Sequence, residues 1–262
     1  MKHLFFAQHA DLQDRVPLPA RIFNYALVIS LISVALWLSF YALNYQWNWQ
    51  EIYNYRGLFI RGWLTTIWIS LIALFLSVLI GFIFALGQRS RFLPFYCLSK
   101  IYVELIRGTP LLVQILIFFY VIASAVHLEN RYVVGILTLA IFSGAYIAEI
   151  IRAGIESVGK SQIESARAIG LTRAQTYRYV VLPQALRQTL PPLAGQFVTL
   201  IKDSSLLSII AISEFTLNAQ QINSYTFSTL ESYLPLAMGY LLLTLPISFW
   251  TRWLEKRMKY ET

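Results

Sequence analysis

Between Arg61 and Arg89 the chain carries no charged side chain. The stretch from about Gly62 to Leu86 is apolar or small on every face of a helix. It shows neither the one-sided stripe of a soluble helix nor the alternation of a half-buried strand. A run this long and uniform fits a bilayer, whose hydrocarbon core takes roughly 20 apolar residues per helix. A similar run precedes it, about Tyr25 to Leu43. Four follow, about Pro110 to His127, Tyr132 to Ile151, Leu193 to Ser213 and Tyr233 to Trp250. Inside a bilayer a lone spanning segment must satisfy its backbone within its own helix. The expected fold is therefore an all-α polytopic membrane protein with about six transmembrane helices.

With 262 residues, 57% hydrophobic and 13% charged, six spans leave no room for a separate soluble domain. The expectation is a single transmembrane domain over 1–262, with an extra N-terminal span at about 25–43 and a core at about 62–255. The first run does not read as a cleavable leader. It is long, Pro19 and Arg21 precede it, and no small-x-small site follows. Trp47, Trp49, Tyr53 and Tyr55 after it suit a membrane interface. The lone Cys97 excludes an internal disulfide, and His3, His9 and His127 lie too far apart to suggest a metal site.

The net charge of +8 has a pattern. If the six runs all cross, Lys and Arg fall 17 to one side and 3 to the other, with Lys202 inside a span. The 17 cluster near the N-terminus, around Arg89 to Arg107, around Arg152 to Arg187 and near the C-terminus. Positive residues stay on the cytoplasmic side. Both termini and the long loop after Ile151 are expected there. The same pattern explains the basic charge without nucleic acid.

That loop carries helix start and stop signals. Ser161-x-x-Glu164 has capping-box spacing, and Gly170 suits a left-handed helix stop. A helix from about Gln162 to Ile169 is expected. Thr172-x-x-Gln175 is a second capping box, for a helix running to about Val181, before Leu182-Pro183. By itself Glu164 is as well explained as a plain cap.

The spacing from Glu164-Ser165-Ala166 to Gly170 and Leu182-Pro183 resembles the EAA loop of ABC-importer permeases. Ser165 stands where that pattern has its first Ala, Ser161-Gln162 replaces the usual Gly-Gln, and Val180 replaces Ile. Three further runs resemble the permeases for polar amino acids (the His/Glu/Gln/Arg/opine type). They are Arg107-Gly-Thr-Pro-Leu-Leu-Val-Gln114, Ala145-Tyr-Ile-Ala-Glu-Ile-Ile-Arg152 and Lys202-Asp-Ser-Ser-Leu206, the last followed by Glu214. The resemblance covers about Gly62 to Glu255. It implies a type I ABC importer fold with a cytoplasmic coupling helix. Ser161, Gln162, Glu164, Ala166, Gly170, Leu182 and Pro183 would form the contact to the motor. It also implies the partners: a cytoplasmic ABC ATPase dimer, a second permease subunit (identical or not) and an extracytoplasmic amino-acid-binding protein. ATP and Mg would be bound by the ATPase, with no cofactor in this chain, and the membrane would be the bacterial inner membrane.

Charges inside spans are costly, at least about 2.5 kcal/mol at the bilayer centre on insertion scales, and face the interior by default. Lys202 and Asp203 fall in the fifth expected span. Neighbours on a helix do not face each other, so the two either pair elsewhere or mark a local break that Ser204 and Ser205 help to satisfy. They serve a substrate path or a helix lock. Glu149 stands one turn before Arg152, which fits a salt bridge or a carboxylate on the path. Glu104 and Arg107 form a similar pair, read as structural. The chain has no P-loop, so it is not expected to be an enzyme. The competing reading is a secondary transporter or channel driven by an ion gradient through Lys202, Asp203 and Glu149. A hydrolase built on Ser204 or Ser205 with Lys202 has poor helical spacing.

Overall fold

The computed structural model describes residues 18–42, 45 and 47–258. These residues form helices and no strand. They divide into two units, Met1–Asn48 and Trp49–Thr262. In the first, α1 (Leu18–Ala42) leaves Ile22, Ile29, Leu31, Trp37 and Leu38 exposed, as a helix facing lipid does.

The second unit begins with the short α2 (Trp49–Asn54) and the long α3 (Arg56–Gly87). α4 (Leu93–Arg107) and α5 (Leu111–Ile117) follow, and a π-helical turn, Phe118–Ala123, extends α5. α6 is Arg131–Glu156, and the loop after it folds as α7 (Lys160–Ala168) and α8 (Arg173–Thr176). A second π turn, Tyr177–Val181, leads without a break into α9 (Leu182–Asp203). A 3-10 segment, Ser204–Ile210, then precedes α10 (Phe215–Thr226) and α11 (Thr229–Met258).

Among the described residues, five helical stretches are long and apolar enough to cross a membrane: Leu18–Ser39, Arg56–Gly87, Arg131–Glu156, Arg173–Ile210 and Thr229–Glu255. A sixth exists if α4 and α5, bent by 109° at their junction, make one span. About six spans were expected, and the third differs from its expected form. Its apolar run from Pro110 is too short to cross as one straight helix, and α4 before it supplies the rest. The fifth also differs. It starts at Arg173, twenty residues before the expected Leu193. Pro183, read as a stop, lies in the first turn of α9, where a missing N–H costs nothing.

α3 and α6 make the central contact. On α3 the small residues Thr66, Ser70, Ala73, Ser77, Gly81 and Ala85 recur every three or four positions and are all buried. A Cβ on Gly81 would stand 2.5 Å from Ile147, and one on Gly144 would stand 2.8 Å from Ile80. Small residues let the two backbones approach, while Trp68, Leu71, Phe75, Leu79 and Phe82 on the opposite face of α3 are exposed. α9 runs antiparallel to α6. Gly154 packs on Thr189, and the Gln196 amide donates to Ser143 Oγ at 3.3 Å. The main core gathers Ile69, Ala73, Ile106, Ile115, Leu139, Leu200 and Leu207. At the end of the bundle away from α7, Phe59, Phe215, Ala219 and Ile222 form a second cluster.

Candidate functional site

α7 projects between α6 and α8 as a single short helix. Its start differs from the expected one. Gly159 is the N-cap, Lys160 is already helical, and no side chain caps the helix. Ser161 therefore lies inside the first turn and makes no box with Glu164. A box needs its Ser just outside the helix, and here the helix begins two residues too early. The stop is as expected. Gly170 has φ +88°. Its N–H donates to Arg167 O at 2.9 Å, and Leu171 N–H donates to Ala166 O at 3.1 Å. These are the two bonds of a Schellman motif. The second capping box is complete: Gln175 N–H donates to Thr172 Oγ1 at 3.3 Å and Thr172 N–H to Gln175 Oε1 at 2.9 Å.

The seven loop residues do not share one face. Ser161, Gln162, Glu164 and Gly170 are exposed, as are Leu182 and Pro183 at the start of α9. Ala166 is 4% exposed and turns inward, where α7 packs on α8 and the π turn. Its small side chain serves that packing within the chain. Ile169, beside the glycine stop, is 78% exposed and gives the tip an apolar surface. Gln184 Nε2 donates to Gln162 Oε1 at 3.2 Å, and Arg89 donates to the Tyr177 hydroxyl at 3.0 Å. The loop is thus tied to the start of α9 and to the turn after α3.

The corner between α4 and α5 explains much of the Arg107–Gln114 run. Pro110 has no N–H and disfavours helix at Thr109, so the helix breaks there. Gly108 N–H still closes on Glu104 O at 2.9 Å. The buried Gln114 amide nitrogen lies 2.7 Å from both Ile106 O and Thr109 Oγ1, and so satisfies a carbonyl that the break frees. Arg107, at the corner, reaches the second motif on α6. Its guanidinium stands 5.4 Å from the Tyr146 ring centre and 3.7 Å from Glu149 Oε1. Ala148, between Tyr146 and Glu149, is fully buried and packs with Val103 of α4, which brings the two helices close there.

Glu149 anchors a chain of ion pairs. Arg152 Nε donates to it at 3.0 Å, Arg152 also bonds Glu156, and Arg89 stands 3.8 Å from Glu156. The expected Glu149–Arg152 pair is present. The expected Glu104–Arg107 pair is not: Arg107 turns to Glu149, the nearer and less exposed of the carboxylates it faces. Beside this cluster, at the α7 end of the bundle, lies a cavity of about 540 Å³. Its wall includes Gln88, Tyr96, Lys100, Glu104, Arg107, Glu149, Arg152 and Glu156.

Lys202, Asp203, Ser204 and Ser205 are elsewhere. The α-helix ends at Asp203 and tightens to 3-10 at Ser204, so the expected local break is present. Ser204 Oγ donates to Ile201 O at 2.8 Å and Ser205 Oγ to Lys202 O at 2.7 Å. Lys202 is exposed, Asp203 is half-buried, and they make no ion pair with each other. From the Ser143–Gln196 contact, Glu149 lies toward one end of the bundle and Asp203 toward the other, roughly 20 Å apart along the helices at 1.5 Å per residue. The two groups do not form one site.

Two residues with clear roles escaped the sequence reading. Gln114 gave no signal beyond its place in a motif. Glu214 is fully buried as the N-cap of α10, accepting from Thr216 and Leu217 N–H at 2.8 and 2.7 Å and from the Tyr240 hydroxyl at 3.2 Å. Burial pushes its carboxyl up from 4.5 to about 7. A polar residue just before Phe215 was the available cue, but Glu is not among the favoured caps.

Comparison with known proteins matches residues 77–260 to the family described as binding-protein-dependent transport system inner membrane component. The chain is 37% identical over 216 residues to the glutamine transport system permease protein GlnP of Escherichia coli (strain K12), covering 82% of this chain and 99% of that one. It is 36% identical over 208 residues to the probable glutamine ABC transporter permease protein GlnM of Bacillus subtilis (strain 168), covering 79% and 96%. A solved amino acid ABC transporter with histidines superposes with a TM-score of 0.76 at 36% identity, over 81% of this chain and 100% of that chain. The chain therefore belongs to the binding-protein-dependent transport family, as a membrane permease with the type I ABC importer fold.

Proposed function

We propose that this permease serves an ATP-driven importer for polar amino acids, with glutamine the first candidate, and that α7 with its Gly170 stop receives the motion of a cytoplasmic ATPase. The substrate class is supported by the relatives, which are named for glutamine. The coupling role is supported by one observation above the rest. α7 is a short, exposed helix with a fixed stop, tied to a helical stretch that runs from Arg173 to Ile210. A push on α7 has a continuous helical element to act on.

In this reading ATP and Mg are held by a pair of ATPase subunits, and hydrolysis belongs to them. A second permease subunit, identical or not, completes the membrane part. An extracytoplasmic binding protein delivers the amino acid. α7 and both termini lie in the cytoplasm, on the side that holds most Lys and Arg. A transporter driven by an ion gradient is disfavoured, because the chain belongs to the binding-protein-dependent family and its relatives are named as permeases of ABC transporters.

The test is Gly170→Val in the reconstituted transporter. Beyond its chain neighbours, no heavy atom lies within 4 Å of where a Cβ would stand, so the Cβ meets open space. The backbone carries a cost of roughly 1–2 kcal/mol for leaving glycine at this φ. Insertion and assembly should persist, while uptake per ATP hydrolysed falls several-fold. Wild-type coupling in this variant would refute the role given to α7.

A further inference from the structure

The helical stretch that begins at Arg173 ends at Ile210, at the end of the bundle away from α7. Its last turns are 3-10, and Ala211 stops it with φ +57°. Ala211 N–H donates to Ser208 O at 3.0 Å and Ile212 N–H to Leu207 O at 3.4 Å, the two bonds of a Schellman stop. Glycine is the usual residue at this place, because a Cβ is penalised at positive φ. The Ala211 side chain is exposed, so burial of its methyl offsets none of that penalty. The conformation is held from outside. Ile212 and Leu207 are fully buried and seat against Gly135 of α6, where a Cβ would stand 2.6 Å from Ile212 Cδ1 and 3.2 Å from Leu207. Arg131, the first residue of α6, reaches across and donates from Nη1 to Ala211 O at 3.0 Å. The Asn130 side chain fixes that end of α6 by accepting from Tyr132 and Val133 N–H. Among the described residues Arg131 makes no ion pair.

We propose that Arg131 and Ala211 form a conformational latch. The Arg131 guanidinium pins a strained joint in the state described here, and its release lets the end of the Arg173–Ile210 stretch move against α6 during transport. The proposal rests on the reading that α7 receives motion from an ATPase, and it adds the place where that motion is held at the opposite end. A strained residue persists only where its surroundings over-determine it. At Ala211 one part of the clamp is the buried Ile212 and Leu207, which cannot let go without exposing apolar surface. The other part is a single exposed, charge-assisted bond from Arg131, which water can replace. That bond is therefore the part that opens. Once it is open, less holds the left-handed backbone, and negative φ becomes the easier choice for alanine. The two residues oppose each other. Arg131 favours the latched state, and the Ala211 Cβ disfavours it. Glycine at 211 would relieve the strain in the latched state alone, since alanine is at no disadvantage at negative φ. Arg131 is thus a positioning residue for the transport cycle.

The experiment uses the complete transporter, the permease with its ATPase and binding protein, in proteoliposomes, with L-glutamine, L-arginine and L-glutamate as probes. Three quantities are read: the ATPase rate without amino acid, uptake per ATP hydrolysed, and the midpoint of thermal unfolding. Arg131→Gln should raise the amino-acid-independent ATPase rate at least about threefold, the loss of one net hydrogen bond, and lower both the midpoint and uptake per ATP. Arg131→Lys keeps a charged donor and should restore part of each. Ala211→Gly should raise the midpoint and slow both ATPase and uptake by about threefold, the effect of relieving the strain in one state. The double variant, Arg131→Gln with Ala211→Gly, should return toward wild type in all three. General damage does not make a more stable protein slower, nor is it reversed by a second substitution. Midpoints that shift while ATPase rate and uptake per ATP stay at wild-type values would reduce the pair to packing and overturn the proposal. Additive losses in the double variant would overturn it too. If Arg131→Gln does not assemble, Ala211→Gly decides: a higher midpoint with wild-type turnover rejects the latch. Wild-type uptake with unchanged coupling in the variants rejects the latch and keeps the function, whereas absence of ATP-driven uptake of every probe by wild type rejects the function itself.

Discussion

Glu214 and Glu149 show how differently two carboxylates behave in one bundle. Glu214 is buried and its carboxyl is raised to about 7, although two backbone N–H groups and the Tyr240 hydroxyl favour its charge. The folded protein then keeps a proton over a range where the unfolded chain has lost it. Stability from this group is full below about pH 4.5 and falls as pH rises toward 7, by on the order of 2 kcal/mol. Glu214→Gln should lose that slope, since an amide oxygen can still cap α10. Thermal unfolding of both proteins between pH 4.5 and 7.5 checks this, and parallel curves would contradict it. Glu149 is held by Arg152 and Arg107. Glu149→Gln should lower stability by about 1–3 kcal/mol, the loss of hydrogen bonds to a charged group, and leave substrate preference unchanged. Selective loss of cationic amino acids with stability retained would instead place the Glu149 carboxylate on the path. Gly170 belongs at this scale too. Gly170→Ala should uncouple less than Gly170→Val, because a Cβ meets open space there and a β-branched residue is penalised more at this φ.

At the scale of elements, the corner at Gly108-Thr109-Pro110 carries the sharpest prediction. Gln114→Leu keeps the bulk and removes the donor to Ile106 O. A buried carbonyl without a partner costs about 1–3 kcal/mol. The variant should show a lower midpoint of thermal unfolding in detergent, and an unchanged midpoint would mean water serves the carbonyl as well. This corner also marks where sequence reading stops. Hydropathy located α3, α6 and α11 because each is one apolar helix longer than a bilayer. It misjudged the third span, because α4 carries Lys100, Glu104 and Arg107 on a cavity face and reads as a polar connection. Pro183 was a false stop for a related reason. Proline removes its own N–H and crowds the carbonyl four residues before it, and at Pro183 the wider π turn just before it lets the helix pass. The loop was legible at Gly170 and at Thr172-x-x-Gln175, where one residue type fits one backbone geometry. It was not legible at Ser161, because the helix starts two residues early with Gly159 as its N-cap, nor at Ala166, whose inward turn depends on α8 and the π turn.

For the whole molecule, the exposed surface of the second unit is not uniform. α3 shows Trp68, Phe75 and Phe82, a surface suited to lipid. Lys202 is exposed at the end of α9, and a lone charge facing lipid costs at least about 2.5 kcal/mol. That face calls for another protein surface or water. The orientation proposed for the bundle has its own test. In a Cys97→Ser background, Arg167→Cys should resist a membrane-impermeant thiol reagent added to intact cells and react once the membrane is opened. Ready reaction from outside would invert the topology.

The stretch from Arg173 to Ile210 spans 38 residues, about 57 Å at 1.5 Å per residue. One end is the base of α7 and the other is the 3-10 segment that follows Lys202 and Asp203. As a lever pivoting near one end, a tilt of only about 10° moves the far end by roughly 10 Å, close to two helical turns of rise. A nudge of loop dimensions is thereby converted into a stroke of substrate dimensions. The two softer places along the beam, the π turn and Pro191-Pro192, then set how much of that stroke is delivered and how much is absorbed as bending.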